Sequence, residues 1–252
     1  AVERIISDFQ EIEPGYLIKP KLYKFVEYGV PQFRERLIIV GVRKDTAFNF
    51  KHPAPTHSEN GNDGLLPFVT AGEALAGVEE VPHNQELMNI KPRTVEILKR
   101  ISAGGNFTDI EPDDEYYVKG MISHVYRRIH PDKPATTLIA GGGGGTWGYH
   151  YPEPRALTNR ERARLQTFPD DYIFCGTMTQ IRRQIGNAVP PSGIVPIVLS
   201  LMPLFSGDYE REDLFEQSRR LDKLSVKERI IISEEESIGG KTSPISIPFP
   251  NM

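Results

Sequence analysis

The sequence predicts an α/β fold: part of a sheet-based domain that carries a smaller, mixed α+β domain. Three observations predict it. Leu37-Ile38-Ile39-Val40 is a β-branched apolar run closed by Gly41, as in a strand buried within a parallel sheet. Residues 193–205 are uncharged and apolar, and read as a helix to about Met202 that needs such a sheet to cover it. Between these two, residues 44–185 are rich in loop-forming residues and hold only short elements.

The elements follow in order. Apolar residues at 2, 5, 6 and 9 predict a first helix, broken by Pro14-Gly15. Residues 16–18 and 23–26 read as short strands. Five Pro and Gly residues make 44–70 mostly loop. Thr70 and Glu73 fit a capping box for a helix through Leu75. Pro92 opens another helix, with Val95, Leu98 and Ile101 on one face. Residues 121–129 and 135–140 read as strands, the second running into Gly141–Gly145. Thr158 and Glu161 cap a helix to Thr167. Residues 186–191 form a tight turn before the apolar helix. Residues 208–229 read as helical, followed by an Ile-rich strand and a Ser/Pro/Gly-rich tail.

Composition excludes several classes. The chain has 252 residues, 38% hydrophobic and 25% charged, too apolar for wholesale disorder. One cysteine, Cys175, excludes an intrachain disulfide framework and a Cys-rich zinc module. His52 and His57 sit five apart in a Pro-rich loop, without metal-ligand spacing, so no metal is expected. The apolar stretch 193–205 is too short to span a bilayer, and the N-terminus shows no signal pattern; a cytoplasmic protein with no membrane partner is expected. The net charge is −4, yet residues 119–192 carry 10 Lys/Arg against 5 Asp/Glu. That basic block reads either as a phosphate-facing surface or as a solvated helix face.

Three segments are specific. Gln32-Phe33-Arg34-Glu35-Arg36 precedes the strand, and at period two both guanidinium groups point to one side. Thr158-Asn159-Arg160-Glu161-Arg162-Ala163-Arg164-Leu165-Gln166-Thr167-Phe168-Pro169 is the second, and Gln184-Ile185-Gly186-Asn187-Ala188-Val189-Pro190-Pro191 the third. In this order and spacing they resemble motifs VIII, IX and X of the DNA (cytosine-5) methyltransferases. The Thr137-Leu138 pair resembles the doublet of that family's target-recognition region. The resemblance covers roughly residues 15–203.

It implies an α/β fold: a partial S-adenosylmethionine-dependent methyltransferase (Rossmann-like) sheet with a small mixed α+β target-recognition domain. Residues 1–43 would be partial catalytic domain, 44–185 the recognition domain with the motif IX helix, and 186–203 the motif X turn and returning helix. Residues 204–252 are unassigned. Arg36 matches the position that approaches the flipped cytosine, with Arg34 and Gln32 supporting the same pocket. A guanidinium stays charged and offers several donors to a carbonyl gaining negative character. Asn187 and Ala188 match the turn over the amino-acid end of S-adenosylmethionine. Arg127, Arg128, Lys133 and Thr137, with Gly141, Gly142, Gly143, Gly144 and Gly145, are the expected DNA-facing residues, since glycines let backbone approach a groove. Arg160, Arg162 and Arg164 are weighed as scaffold above phosphate contacts.

The departures are as informative. The family's Phe-x-Gly-x-Gly cofactor loop, its Pro-Cys-Gln nucleophile loop and its Glu-Asn-Val carboxylate segment are absent from this sequence. Cys175, flanked by Phe174 and Gly176, reads as a small buried hydrophobe. The resemblance therefore implies a C-terminal portion, inactive alone, that meets double-stranded DNA and an N-terminal methyltransferase half or subunit. Self-association through residues 37–40 and 193–202 is a further expectation. The rival reading is a non-catalytic DNA-binding or regulatory module derived from the family.

Overall fold

The structure, a computed structural model, describes residues 2–119, 125–141 and 148–239. In chain order its elements are α1 (Val2–Gln10), β1 (Tyr16–Lys24), β2 (Gln32–Phe33), β3 (Glu35–Arg43), β4 (His57–Ser58), β5 (Leu66–Pro67), α2 (Ala71–Leu75), α3 (Pro92–Lys99), β6 (Ala135–Thr136), α4 (Asn159–Leu165), α5 (Met178–Asn187), α6 (Pro191–Ser206), α7 (Leu214–Leu221) and α8 (Val226–Gly239). They form two compact units. The first holds residues 2–24, 35–56 and 194–239; the second holds 25–34, 57–119, 125–141 and 148–193.

The first unit is built on β1 and β3, which pair antiparallel from Tyr16↔Arg43 to Lys24↔Glu35. The expected parallel partner for residues 37–40 is thus replaced by an antiparallel one. Leu37, Ile38 and Ile39 are half-buried, not enclosed. The two short strands expected at 16–18 and 23–26 are one strand, and it accommodates Pro20 because, among the described residues, β1 pairs on one side only. Helix α8 packs along β1, and its polar residues make the contact. Lys19 Nζ donates to Glu236 Oε2 at 3.0 Å and to Asn49 Oδ1 at 2.9 Å, and Lys21 Nζ donates to Ser237 Oγ at 2.6 Å. The Ile-rich strand expected after residue 229 is therefore a helix. Its Arg229, Ser233 and Ser237 are buried at a spacing of four.

Beside this contact lies His52, 3% exposed, with Nδ1 2.7 Å from the Tyr23 hydroxyl. Burial, and then Lys21 and Lys19, push its pKa down to about 3. In the unfolded chain the ring titrates near its ordinary 6.5. The unfolded state therefore takes up the proton first as pH falls. This contribution is complete above pH 6.5 and is lost downward toward pH 3, at a slope approaching about 1.4 kcal/mol per pH unit. Urea midpoints at pH 7 and pH 5 should differ, and His52→Gln should flatten the difference. An unchanged slope in His52→Gln would place the acid sensitivity elsewhere.

The second unit is mostly short helices around small apolar clusters. Thr70 and Glu73 cap α2, and Thr158 and Glu161 cap α4, each through a reciprocal capping box. Ala71, Ala74 and Leu75 of α2 pack with Ile129, Leu138, Leu157 and Leu165. A second cluster joins Ala163 to Phe174, Ile181 and Ile185 of α5. Of the strand expected at 135–140, only Ala135–Thr136 is one, pairing parallel with β2. Residues 125–129 form no strand, and 120–124 lie outside the described residues.

The units are cut elsewhere than at residues 43 and 185. Residues 25–34 and 186–193 belong to the second unit because they pack there: a Cβ on Gly193 would stand 2.5 Å from the Phe25 ring. Residues 209–239, unassigned from sequence, complete the first unit. By length and composition Met178–Ser206 could cross a bilayer, once α5 with Arg182 and Arg183 is counted; residues 188–190 break that run into α5 and α6.

Candidate functional site

Residues 32–34 of the first motif segment meet the other two segments inside the second unit, and buried polar side chains join them. Gln32, fully buried at the start of β2, bonds in two directions. Its Oε1 accepts from Leu138 N at 3.0 Å, and its Nε2 donates to Leu165 O at the end of α4, 3.2 Å. Arg34, also fully buried, donates Nη2 to Gly186 O and to Ala188 O, both at 2.8 Å, and Nη1 to Leu138 O at 3.4 Å. Gln166 donates Nε2 to Ile185 O at 2.8 Å. Burying amides and a guanidinium is unfavourable unless their donors are met, and here backbone carbonyls of neighbouring motifs accept from the Gln32 and Gln166 amides and from both terminal nitrogens of Arg34.

Gln32 and Arg34 are both fully enclosed, so neither side chain reaches a substrate; each ties motif segments to one another. The shared direction expected for Arg34 and Arg36 fails. Arg34 interrupts the strand between β2 and β3, which have different partners, so period two does not carry across it. Arg36 lies in the first unit on β3, half-exposed, and donates Nη1 to Glu35 O at 2.6 Å. Its guanidinium is thus lightly held.

At the end of α5 the chain turns at residues 186–188. With the carbonyls of Gly186 and Ala188 drawn inward by Arg34, Asn187 and Val189 are left exposed. An exposed amide on a turn of fixed backbone both donates and accepts, and this fits the ammonium and carboxylate of an amino-acid moiety. Asn187 is thus compatible with the cofactor contact that the motif implies, while the backbone N–H and carbonyl of Ala188 are already engaged, by α5 and by Arg34.

The expected DNA-facing residues divide. Lys133 and Thr137 are exposed, as are Thr136, Ile139 and Gly141. Gly142, Gly143, Gly144 and Gly145 lie outside the described residues. Arg127 is half-buried and donates to Gly104 O. Arg128 is a correction: it is 8% exposed and donates to the carbonyls of Leu98, Ile101, His150 and Tyr151. Burial holds its pKa below the usual arginine value. It is a structural hub of its loop, not a phosphate ligand.

The arginines of α4 are internal too. Arg160 donates to the carbonyls of His83, Pro169 and Tyr172. Arg164 forks onto Asp170 at 2.6 and 2.9 Å and reaches Ala76 O. Arg162 is 3% exposed; burial, and then the neighbouring Arg182, push its pKa down to about 9. Cys175 is exposed, contrary to its reading as a small buried hydrophobe. A separate cleft of ≈ 840 Å³ is lined by Glu73, Glu80 and Asp171 among others, and its acidity makes it unsuited to phosphate.

Two features of the site were not read from sequence. Arg182 of α5 donates Nη2 to Gly141 O at 2.7 Å. A Cβ on Gly186 would stand 2.5 Å from the backbone of Ala140, so two backbones touch there. The glycine of the Gly-Asn turn signalled a close approach. The partner of that approach had no signal.

The family model described as C-5 cytosine-specific DNA methylase matches residues 1–202. Type II methyltransferase M.NgoFVII of Neisseria gonorrhoeae is 58% identical over 217 residues, 86% of this chain and 58% of that protein. Type II methyltransferase M.BbvI of Brevibacillus brevis is 50% identical over 195 residues, 76% of this chain and 50% of its own length. The chain thus spans about half the length of these relatives. A solved DNA modification methyltransferase encoded within an E. coli prophage superposes with a TM-score of 0.51 at 22% identity, covering 76% of this chain and 61% of that one. That likeness is one of fold, the α/β fold of methyltransferases. With the family model matched over most of its length, the chain belongs to the C-5 cytosine-specific DNA methylase family.

Proposed function

We propose that this chain is the C-terminal, target-recognising portion of a DNA cytosine-5 methyltransferase of the restriction–modification type, acting in the cytoplasm on double-stranded DNA. The observation that carries this reading is the union of the motif segments by Gln32, Arg34 and Gln166. That union sets a fixed turn with an exposed Asn187, and the exposed residues Thr136, Thr137, Ile139 and Gly141, in one compact unit. S-adenosylmethionine, held in part at Asn187 and Ala188, would supply the methyl group.

In this reading the chain's own residues bind and orient. Lys133 attracts the phosphate backbone, and Thr136, Thr137, Ile139 and Gly141 face the groove. Arg36 donates to the flipped base, where its lightly held guanidinium is free to follow the growing charge. The nucleophilic thiol and the catalytic carboxylate come from an N-terminal half. Two features support a docking surface for that half on the first unit. Leu37, Ile38 and Ile39 stand half-buried on a strand that, among the described residues, pairs only with β1, and Val198, Leu199, Met202 and Phe205 of α6 are exposed. A second copy of the chain would compete for the same surface.

The expected result is that the purified chain transfers no label from S-adenosylmethionine to cytosine-containing DNA. Adding a half that carries the Pro-Cys-Gln and Glu-Asn-Val segments restores transfer, and protects residues 37–40 and 194–205 from hydrogen exchange. Turnover by the chain alone would overturn its assignment as an incomplete enzyme. An inactive, unassociated pair would favour the binding-module reading.

A further inference from the structure

The end of α5 and the segment 138–141 touch at three independent places, all within the second unit. Arg34 bonds Gly186 O and Ala188 O with one terminal nitrogen and Leu138 O with the other. Gly186 lies backbone against backbone on Ala140, with no room even for a methyl group. Arg182, one turn earlier on α5, holds Gly141 O. Each face of this junction has an exposed outer side: Asn187 and Val189 on the turn, and Thr137, Ile139 and Gly141 on the segment.

Close-packed backbone cannot absorb a shift by compression, so a displacement of one side is passed to the other. Arg34 adds direction to this. One planar guanidinium meets carbonyls of both segments, and a rotation that favours one bond lengthens another. We propose that Arg34 is a positioning residue that couples the cofactor turn 186–188 to the recognition segment 138–141, so that occupancy of one sets the geometry of the other. The inference rests on the function proposed above. It assigns to Arg34 no contact with base, phosphate or cofactor. Coupling of this kind is reciprocal: whatever factor S-adenosylhomocysteine contributes to DNA affinity, DNA contributes to S-adenosylhomocysteine affinity.

The test uses the chain assembled with its complementary half, S-adenosylhomocysteine as the probe, and duplex DNA methylated by that assembly. The ratio of DNA dissociation constants without and with the probe should be about tenfold in the wild type, within the usual range for coupled sites. In Arg34→Lys, whose single ammonium cannot span both segments, the ratio should fall toward one, whatever the absolute affinities become. A wild-type ratio of one, or an unchanged ratio in Arg34→Lys, overturns the proposal. If Arg34→Lys does not fold, hydrogen exchange of the wild-type assembly decides. Protection of the amides of residues 138–141 should rise when the probe binds without DNA, and unchanged protection refutes the coupling. An assembly that transfers no methyl group defeats the functional reading itself; an active assembly with independent ligand affinities defeats only the coupling.

Discussion

Arg160→Met should destabilise the second unit by about 3 kcal/mol, a large part of the stability of an ordinary domain. The side chain is completely enclosed and donates to three carbonyls, those of His83, Pro169 and Tyr172. Methionine fills similar space but leaves all three without these donors, at about 1–3 kcal/mol for each that water cannot reach. The full sum is not expected. Burial already disfavours the guanidinium, which has no carboxylate bonded to it, and holds its pKa below the usual arginine value; removing it relieves that strain. Arg160→Lys should recover only part of the loss, since one ammonium cannot reach three diverging carbonyls. Urea titrations of the three proteins measure this directly. A loss below about 0.5 kcal/mol in Arg160→Met would be that of a surface residue, and would exclude the bracing role.

Arg36→Ala should have the opposite profile: little effect on folding and a large effect on catalysis. Arg36 is half-exposed and its recorded bond is to the neighbouring Glu35 carbonyl, so its removal should change stability by no more than about 0.5 kcal/mol. In the assembled enzyme the proposed role at the flipped base predicts a fall of about 100-fold in the chemical step, near 3 kcal/mol. Single-turnover rates set beside a gel-shift titration separate the possibilities. Equal losses in rate and DNA affinity would make Arg36 a phosphate contact, and a parallel loss of stability would make it structural.

The contrast between these two arginines marks what sequence could reveal. Capping boxes at Thr70–Glu73 and Thr158–Glu161 were legible because a cap is a local contract between residues three apart. The same signal stands at Thr177 and Gln180, where it caps α5, but α5 has few apolar residues beside it to mark a helix. Helix α8 was hidden for a different reason. Its buried stripe is Arg229, Ser233 and Ser237, and a search for apolar periodicity cannot see a polar face that packs on lysines. The basic block at 119–192 misled most. Arg128, Arg160, Arg162, Arg164 and Arg182 are all buried, half of its 10 cations, so its surface is far less positive than its count. Formal charge does not tell whether a guanidinium faces solvent or a ring of carbonyls; long-range contacts decide that. The motif strings were legible as strings. Their joining through Gln32 and Arg34 was not, because it pairs residues more than 100 positions apart.

The α8 contact on β1 bears on where this protein can be cut. The family match stops at residue 202, which invites trimming there. Lys19 and Lys21, near the beginning of the chain, find their partners at Glu236 and Ser237. A chain ending at 202 would take the α8 partners from Lys19 and Lys21 and remove one wall from β1. The family model and the first unit thus have different ends, and residues beyond 202 are what close that unit along β1.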